Sequence, residues 1–283
     1  MRQAFCPGHL TCAFQPFRTA DPLESGSRGI GVRLGLGARA RAEERDDGEV
    51  RIVIDGVLSR APVTRAAVEG VSGGRGFDIE IRNGLPVSQG FGMSAAGAIA
   101  ASLCVADIVG ASAEEAFRAA HSADVLCGGG LGDVDAIASG FAVPVRMSPG
   151  FSGSVADAGI RMRGLSLAVL GPKMVTGSVL SDPQVSERIA RAGSAAIEEF
   201  MSAPSEEMLY SCSARFSLDA GLESPEISAA LSRLRGEGYR AGMCMLGNSV
   251  FTNAPEREAR RILGRRAEIR CCRPYSGGFA RRG

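Results

Sequence analysis

FDIEIRNGLPVSQGFGMSAAGAIAASLCVADIV, residues 77–109, is the stretch that decides how this chain is read. Phe77, Ile79 and Ile81 alternate with Asp78, Glu80 and Arg82 at period two, the pattern of a strand with one buried face. Asn83, Gly84, Leu85 and Pro86 then make a turn. Gly90, Phe91, Gly92 and Met93 form a glycine loop, and from Ser94 to Val109 the alanine-rich run predicts a helix. A glycine loop entering a helix leaves unpaired backbone N–H groups and the positive end of the helix dipole facing one point, which suits a phosphate. The same loop can serve only as a close packing turn, so the phosphate reading needs partners elsewhere.

Downstream, Ser112 with Glu115 is a capping box opening a second helix over residues 113–126. Phe117, His121 and Asp124 share one face of it. A histidine and an aspartate on such a face also commonly pair with each other or with the backbone. Asp124 precedes a second glycine cluster, residues 128–132, which ends at Asp133. Two carboxylates bracketing a glycine loop are what Mg²⁺ and a base for an alcohol nucleophile require. Residues 134–147 are small and apolar, strand-like toward their end, and Ser148, Pro149 and Gly150 mark a break. We therefore expect two units, 1–150 and 151–283. A strand is expected at 48–54, buried strands at 165–170 and 243–251, and helices at 185–201, 206–216 and 225–237. Strands and helices alternate without regular βαβ spacing, so the expected class is α+β.

Composition narrows the function. With 45% apolar residues the chain can bury a sizeable core. Net charge is +1, so no overall field recruits nucleic acid or an anionic membrane, and a small-molecule partner is expected. Lys173 is the only lysine and follows no G-x-x-x-x-G-K loop, which excludes a Walker-type nucleotide site. His9 and His121 are too few for a histidine-rich metal centre, and no G-x-S-x-G elbow exists. The eight cysteines show no C-x-x-C pair, which reads as reduced thiols in a cytoplasm. No apolar run approaches a membrane span. From Glu256 onward nine arginines face three acids, but Tyr275 and Phe279 are the only aromatics among them, so a solvated basic face is favoured over RNA binding.

The loop GFGMSAA, Gly90-Phe91-Gly92-Met93-Ser94-Ala95-Ala96, resembles the phosphate loop of the GHMP kinases, usually GLGSSAA. Pro7, Gly8 and His9 lie where that superfamily has its N-terminal substrate motif, and residues 242–251 resemble its C-terminal glycine motif. Asp133 stands seven residues before Gly140, as the catalytic aspartate does in the mevalonate kinase branch; Asp135 does not. PGHLT at 7–11, SGSRGIGV at 25–32, AHSADV at 120–125, GLGDV at 130–134 and MLGNSVF at 245–251 are similar to the archaeal pantoate kinases, which usually carry glutamate at the position of Asp124.

The resemblance implies an N-terminal domain like domain 2 of ribosomal protein S5, a ferredoxin-like C-terminal domain, ATP with Mg²⁺ as cofactors, and phosphorylation of the 4-hydroxyl of pantoate. By resemblance, residues 90–96 hold the phosphates, Ser94 and Asp124 hold Mg²⁺, and Asp133 is the catalytic base. Arg146 takes the substrate carboxylate, with Arg28 as a second candidate, while Ser27, His121 and Thr176 meet its other polar atoms. His9 is expected to hydrogen-bond its own turn. Members often dimerise. A sister kinase acting on homoserine, mevalonate or shikimate, and a non-catalytic nucleotide- or RNA-binding relative, remain open alternatives.

Overall fold

The computed structural model describes residues 1–174 and 182–282. Two long strands begin it, β1 (Arg2–Phe17) and β2 (Gly26–Arg45), joined as an antiparallel hairpin. Two irregularities, at Pro7/Gly8 and Thr11/Ala13, shift their register. Much of both strands is buried on both faces, so no clean alternation marks them.

Strand β3 (Val50–Ile54) pairs with the two-residue β4 (Val57–Leu58) and runs parallel to β5 (Gly76–Asn83), which in turn pairs with β2. Strand β6 (Pro144–Arg146) pairs with β2, and β7 (Val155–Asp157) with β6. The helix α1 (Pro62–Glu69) lies against α2 (Met93–Val109) and α3 (Ala113–Leu126), and α2 packs on β1 and β2. Helix α2 is apolar all round, with Ala95, Ala96, Ala98, Ile99, Ala100 and Leu103 at most 1% exposed, as a helix enclosed by other elements must be. The Ser112–Glu115 capping box starts α3 as expected. Residues 134–147 divide into the short helix α4 (Asp133–Ala138) and β6.

Strand β8 (Leu165–Val169) opens a second, four-stranded antiparallel sheet. Helices α5 (Pro183–Ser202), α6 (Glu206–Asp219) and α7 (Pro225–Gly236) follow. The run 243–251 is not one strand. It is a hairpin of β9 (Ala241–Cys244) and β10 (Ser249–Thr252), both buried throughout, whose turn holds Leu246 at φ 60. Gly247 and Asn248 mark this turn, a signal that the reading of one continuous strand passed over. Helix α8 (Glu256–Leu263) and β11 (Glu268–Cys272) complete this sheet in the order β11-β8-β10-β9. Strand β12 (Ala280–Arg282) returns to pair with β1, so the first sheet runs β12-β1-β2-β5-β3-β4 with β6 and β7 attached to β2. The fold is α+β, as expected.

Candidate active site

A cleft of about 340 Å³ opens where β1, the glycine loop before α2, the turn between α3 and α4, β6 and the β9–β10 turn converge. Among the expected site residues, Ser27, Gly90, Phe91, Gly92, Met93, Ser94, Asp124, Asp133 and Arg146 line it.

The phosphate loop is squeezed from two sides. Gly90 (φ 77) has no room for a Cβ, which would stand 2.6 Å from the Cys244 carbonyl oxygen, and Gly92 (φ 61) lies on the backbone of His9. The His9 N–H donates to the Phe91 carbonyl at 3.0 Å. Gly247, in the β9–β10 turn, lies against the Gln89 backbone, the Ser249 hydroxyl donates to the Gln89 carbonyl, and the Asn248 N–H donates to Gln89 Oε1 at 3.2 Å. Helix α2 starts at Gly92 with no side-chain cap, so its first-turn N–H groups face the cleft without an intrachain acceptor from a capping side chain. Ala96 differs from the expectation for the loop: its N–H already donates to the Gly92 carbonyl at 2.9 Å, and the methyls of Ala95 and Ala96 point into the core, so neither lines the cleft.

Across the cleft, Asp124 is 2% exposed and its Oδ1 has no partner. Burial, reinforced by the charge of Asp133, raises its pKa well above the usual carboxylate range. The two carboxylates flank Gly130, where a Cβ would stand 2.9 Å from Asp133 Oδ2 and 3.1 Å from Asp124 Oδ2. Asp133 opens α4, and its Oδ1 accepts from His9 Nδ1 at 2.7 Å. His9 is fully buried, its Nε2 has no partner, and burial lowers its pKa. An unpartnered lone pair is cheaper to bury than an unpartnered N–H, so the neutral Nδ1–H tautomer fits. His9 therefore serves the site and not its own turn, which its place in the PGH motif signalled.

Arg146 is 2% exposed. Its Nε donates to the Ser27 carbonyl and its Nη2 to the Ser27 hydroxyl, each at 3.2 Å, while Nη1 is buried without a partner. Burial lowers its pKa, opposed by Asp133 and Asp135. Gly29, its pairing partner on β2, and Gly132 both lack a side chain because the guanidinium occupies that space. A buried cation with an unpartnered donor, on a residue that lines a cleft, calls for an anion.

Arg28 and His121, like Ala95 and Ala96, do not line this cleft. Arg28 donates to Gln15 Oε1 at 3.2 Å. Both ring nitrogens of His121 are engaged elsewhere: Nδ1 faces Asp135 Oδ2 at 3.2 Å, and Nε2 faces the carbonyls of Pro22 and Ser25 at 3.1 and 3.0 Å. Thr176 lies outside the described residues. Phe14, Pro62 and Val63 line the cleft without having been singled out, since apolar residues carry no chemical signature in a sequence. Among the described residues no group of three or more His, Cys, Asp or Glu could hold a metal. A divalent ion here would lean on few protein oxygens and on phosphate, which is the habit of Mg²⁺. The unpartnered Asp124 oxygen, buried beside a second carboxylate, fits such an ion. No helix among the described residues is long and apolar enough to cross a membrane.

The model for the GHMP kinases N terminal domain matches residues 60–141. The chain is 30% identical over 274 residues to a pantoate kinase of Methanospirillum hungatei, covering 94% of this chain and 88% of that one. It is 28% identical to a pantoate kinase of Thermococcus kodakarensis, over 91% and 89% of the two chains. A solved phosphotransferase related to the CoA biosynthesis pathway superposes with a TM-score of 0.88 at 25% identity, over 99% of this chain and 98% of that one. A mevalonate kinase structure superposes at 0.66 with 12% identity, over 96% and 99%, which speaks to the fold alone.

Proposed function

The chain belongs to the pantoate kinases of the GHMP kinase superfamily, and on that premise we propose that it transfers the γ-phosphoryl group of ATP to the 4-hydroxyl of pantoate, a step of coenzyme A biosynthesis. The observation that carries this reading is the buried Arg146 with its free Nη1, in the same cleft as Asp133 and the uncapped start of α2. One end of the cleft thus suits a carboxylate and the other a phosphate, with a carboxylate base between them.

In this reading the α2 N-terminus and the loop of Gly90, Phe91, Gly92 and Met93 receive the phosphates of ATP. Asp124 and Ser94 would hold Mg²⁺, which neutralises charge on the transferring group. His9 donates to Asp133 Oδ1, which leaves Oδ2 toward the cleft to orient the acceptor hydroxyl. The bond from the 4-oxygen to the γ-phosphorus forms as the bridging bond to ADP breaks, and the hydroxyl proton passes late to Asp133. Arg146 and Ser27 fix the carboxylate, so the hydroxyl at the far end of pantoate meets Asp133 by reach.

Residues 1–150 as an ATP-binding unit and 151–283 as a second unit belong to the same reading, supported by the separate second sheet, although β7 and β12 add strands to the first. So do a cytoplasmic location, for which the eight unpaired cysteines speak, and a small-molecule partner in place of a nucleic acid. An ADP-release assay with pantoate, homoserine, mevalonate and shikimate tests the substrate. Pantoate should lead in kcat/KM by on the order of 100-fold; preference for any other acceptor overturns the assignment.

A further inference from the structure

His121 and Asp135 form a second buried pair behind the cleft, 2% and 9% exposed. Every atom that faces the imidazole nitrogens is an acceptor: a carboxylate oxygen at Nδ1, and two backbone carbonyls at Nε2. Carbonyl oxygens only accept, so Nε2 carries a hydrogen, and an ionised Asp135 requires one on Nδ1 as well. The pair is therefore best satisfied as imidazolium and carboxylate.

What the pair joins matters more than its charge. His121 sits on α3 one turn before Asp124, and Asp135 sits on α4 two residues after Asp133. The carbonyls of Pro22 and Ser25 belong to the turn between β1 and β2, and Ser27, which holds Arg146 through both its carbonyl and its hydroxyl, follows at once. A second fastening lies on the same turn, where the Phe151 N–H donates to the Leu23 carbonyl at 2.8 Å and the Phe151 ring meets His121 edge-on at 5.7 Å between centroids. Gly26 is pressed against the Gly150 backbone, so the turn has no slack on that side.

We propose that Asp135 and His121 are positioning residues that lock the 22–25 turn to α3 and α4, and so set Ser27 and Arg146 for the acceptor carboxylate without touching the acceptor. This rests on the reading of Arg146 as the carboxylate site. It assigns His121 a part different from the direct substrate contact that the family resemblance implies. It also gives Asp135, which lies outside the cleft lining, a part in acceptor binding. The phosphate loop itself is braced from β1 and the β9–β10 turn, away from the clamp residues.

Steady-state kinetics on wild type, Asp135→Asn, His121→Gln and the double variant test this, with Arg146→Ala as the reference for a lost acceptor site. Wild type must first turn over pantoate, and Arg146→Ala must raise its KM; failure at that stage counts against the underlying substrate reading, before the clamp is reached. Given both, Asp135→Asn and His121→Gln should each raise the pantoate KM by about tenfold, the scale of a broken buried contact pair. The ATP KM should stay within about twofold, which also reports that the active fraction is folded. The double variant should be no worse than either single variant, because one clamp is lost once. If His121→Gln raises the pantoate KM and Asp135→Asn does not, His121 is a direct ligand and the proposal falls. It falls equally if the two effects multiply in the double variant, or if ATP and pantoate constants rise together.

Discussion

Helix α4 carries two aspartates two residues apart, each met by a buried histidine, and the two pairs are built for opposite protonation states. Asp133 leans into the cleft and is partnered by a His9 whose other nitrogen has nothing to donate to; burial pushes that imidazole toward neutrality. Asp135 is sealed in and partnered by a His121 whose other nitrogen is held by two carbonyls. There burial opposes the charged form, but the carboxylate and the carbonyls outweigh it and raise the pKa. The difference is made by the unshared nitrogen of each ring. A ring with one acceptor and one empty side orients a carboxylate that has work to do elsewhere. A ring with acceptors on both sides ties three segments together.

The largest effect expected from breaking this comparison is at the cleft pair. Asp133→Asn should lower kcat by about 10² to 10⁴ while leaving the melting temperature and the ATP KM near wild type, measured by ADP release and thermal denaturation. A comparable loss of kcat in Asp135→Asn would erase the distinction between the two carboxylates. Next comes Arg146→Ala, which should weaken pantoate by on the order of 2 to 5 kcal/mol, the cost of leaving the other half of a buried charged contact alone, with ATP little changed. Pantolactone, which has no free carboxylate, should then be a poor acceptor for wild type too. Saturating Mg-ATP at ~100 times its dissociation constant should add roughly 2.7 kcal/mol to the stability of wild type and of Asp133→Asn alike.

The smallest effect is the sharpest test of the two imidazoles. His121 has a raised folded pKa, so its contribution to stability is complete below the ordinary value of 6.5 and is lost as pH rises through the folded value. His9 has a lowered folded pKa, so the unfolded chain takes up a proton first and stability falls as pH drops below 6.5 toward the folded value. Melting temperature against pH should thus decline on both sides. Asp135→Asn should shrink the alkaline decline, to which the raised pKa of Asp124 also contributes, and keep the acid one; an unchanged alkaline decline, or loss of the acid one, would contradict the assignment.

The parts of this molecule legible in its sequence are those where chemistry and periodicity coincide. Strand β5 alternates cleanly because one face is solvated, and α3 announces itself through Ser112 and Glu115. Asp133, Asp124 and Ser94 were legible because they belong to motifs, and Arg146 only through the family resemblance; the structure does bring them to one cleft. Strands β1 and β2 were not marked, since burial on both faces and two register shifts remove their period. The partnership of His121 with Asp135 was not legible in the sequence, where the carboxylate offered to His121 was Asp124 on the same helix face, as a pair or as ligands. Geometry distinguishes them: the ring has no nitrogen left for a substrate.

Gly247 and Ser249 grip Gln89 from beneath the phosphate loop, across some 160 residues of chain. During synthesis the glycine loop therefore leaves the ribosome long before the turn that braces it. A nascent chain halted near residue 150 would carry the GFGMS sequence without the wall that Cys244, Met245 and Gly247 build against Gly90, and nucleotide could not yet act as a template for its folding. Capacity to bind ATP should appear late and abruptly in translation, when the β9–β10 hairpin emerges, so that an unfinished chain does not sequester nucleotide.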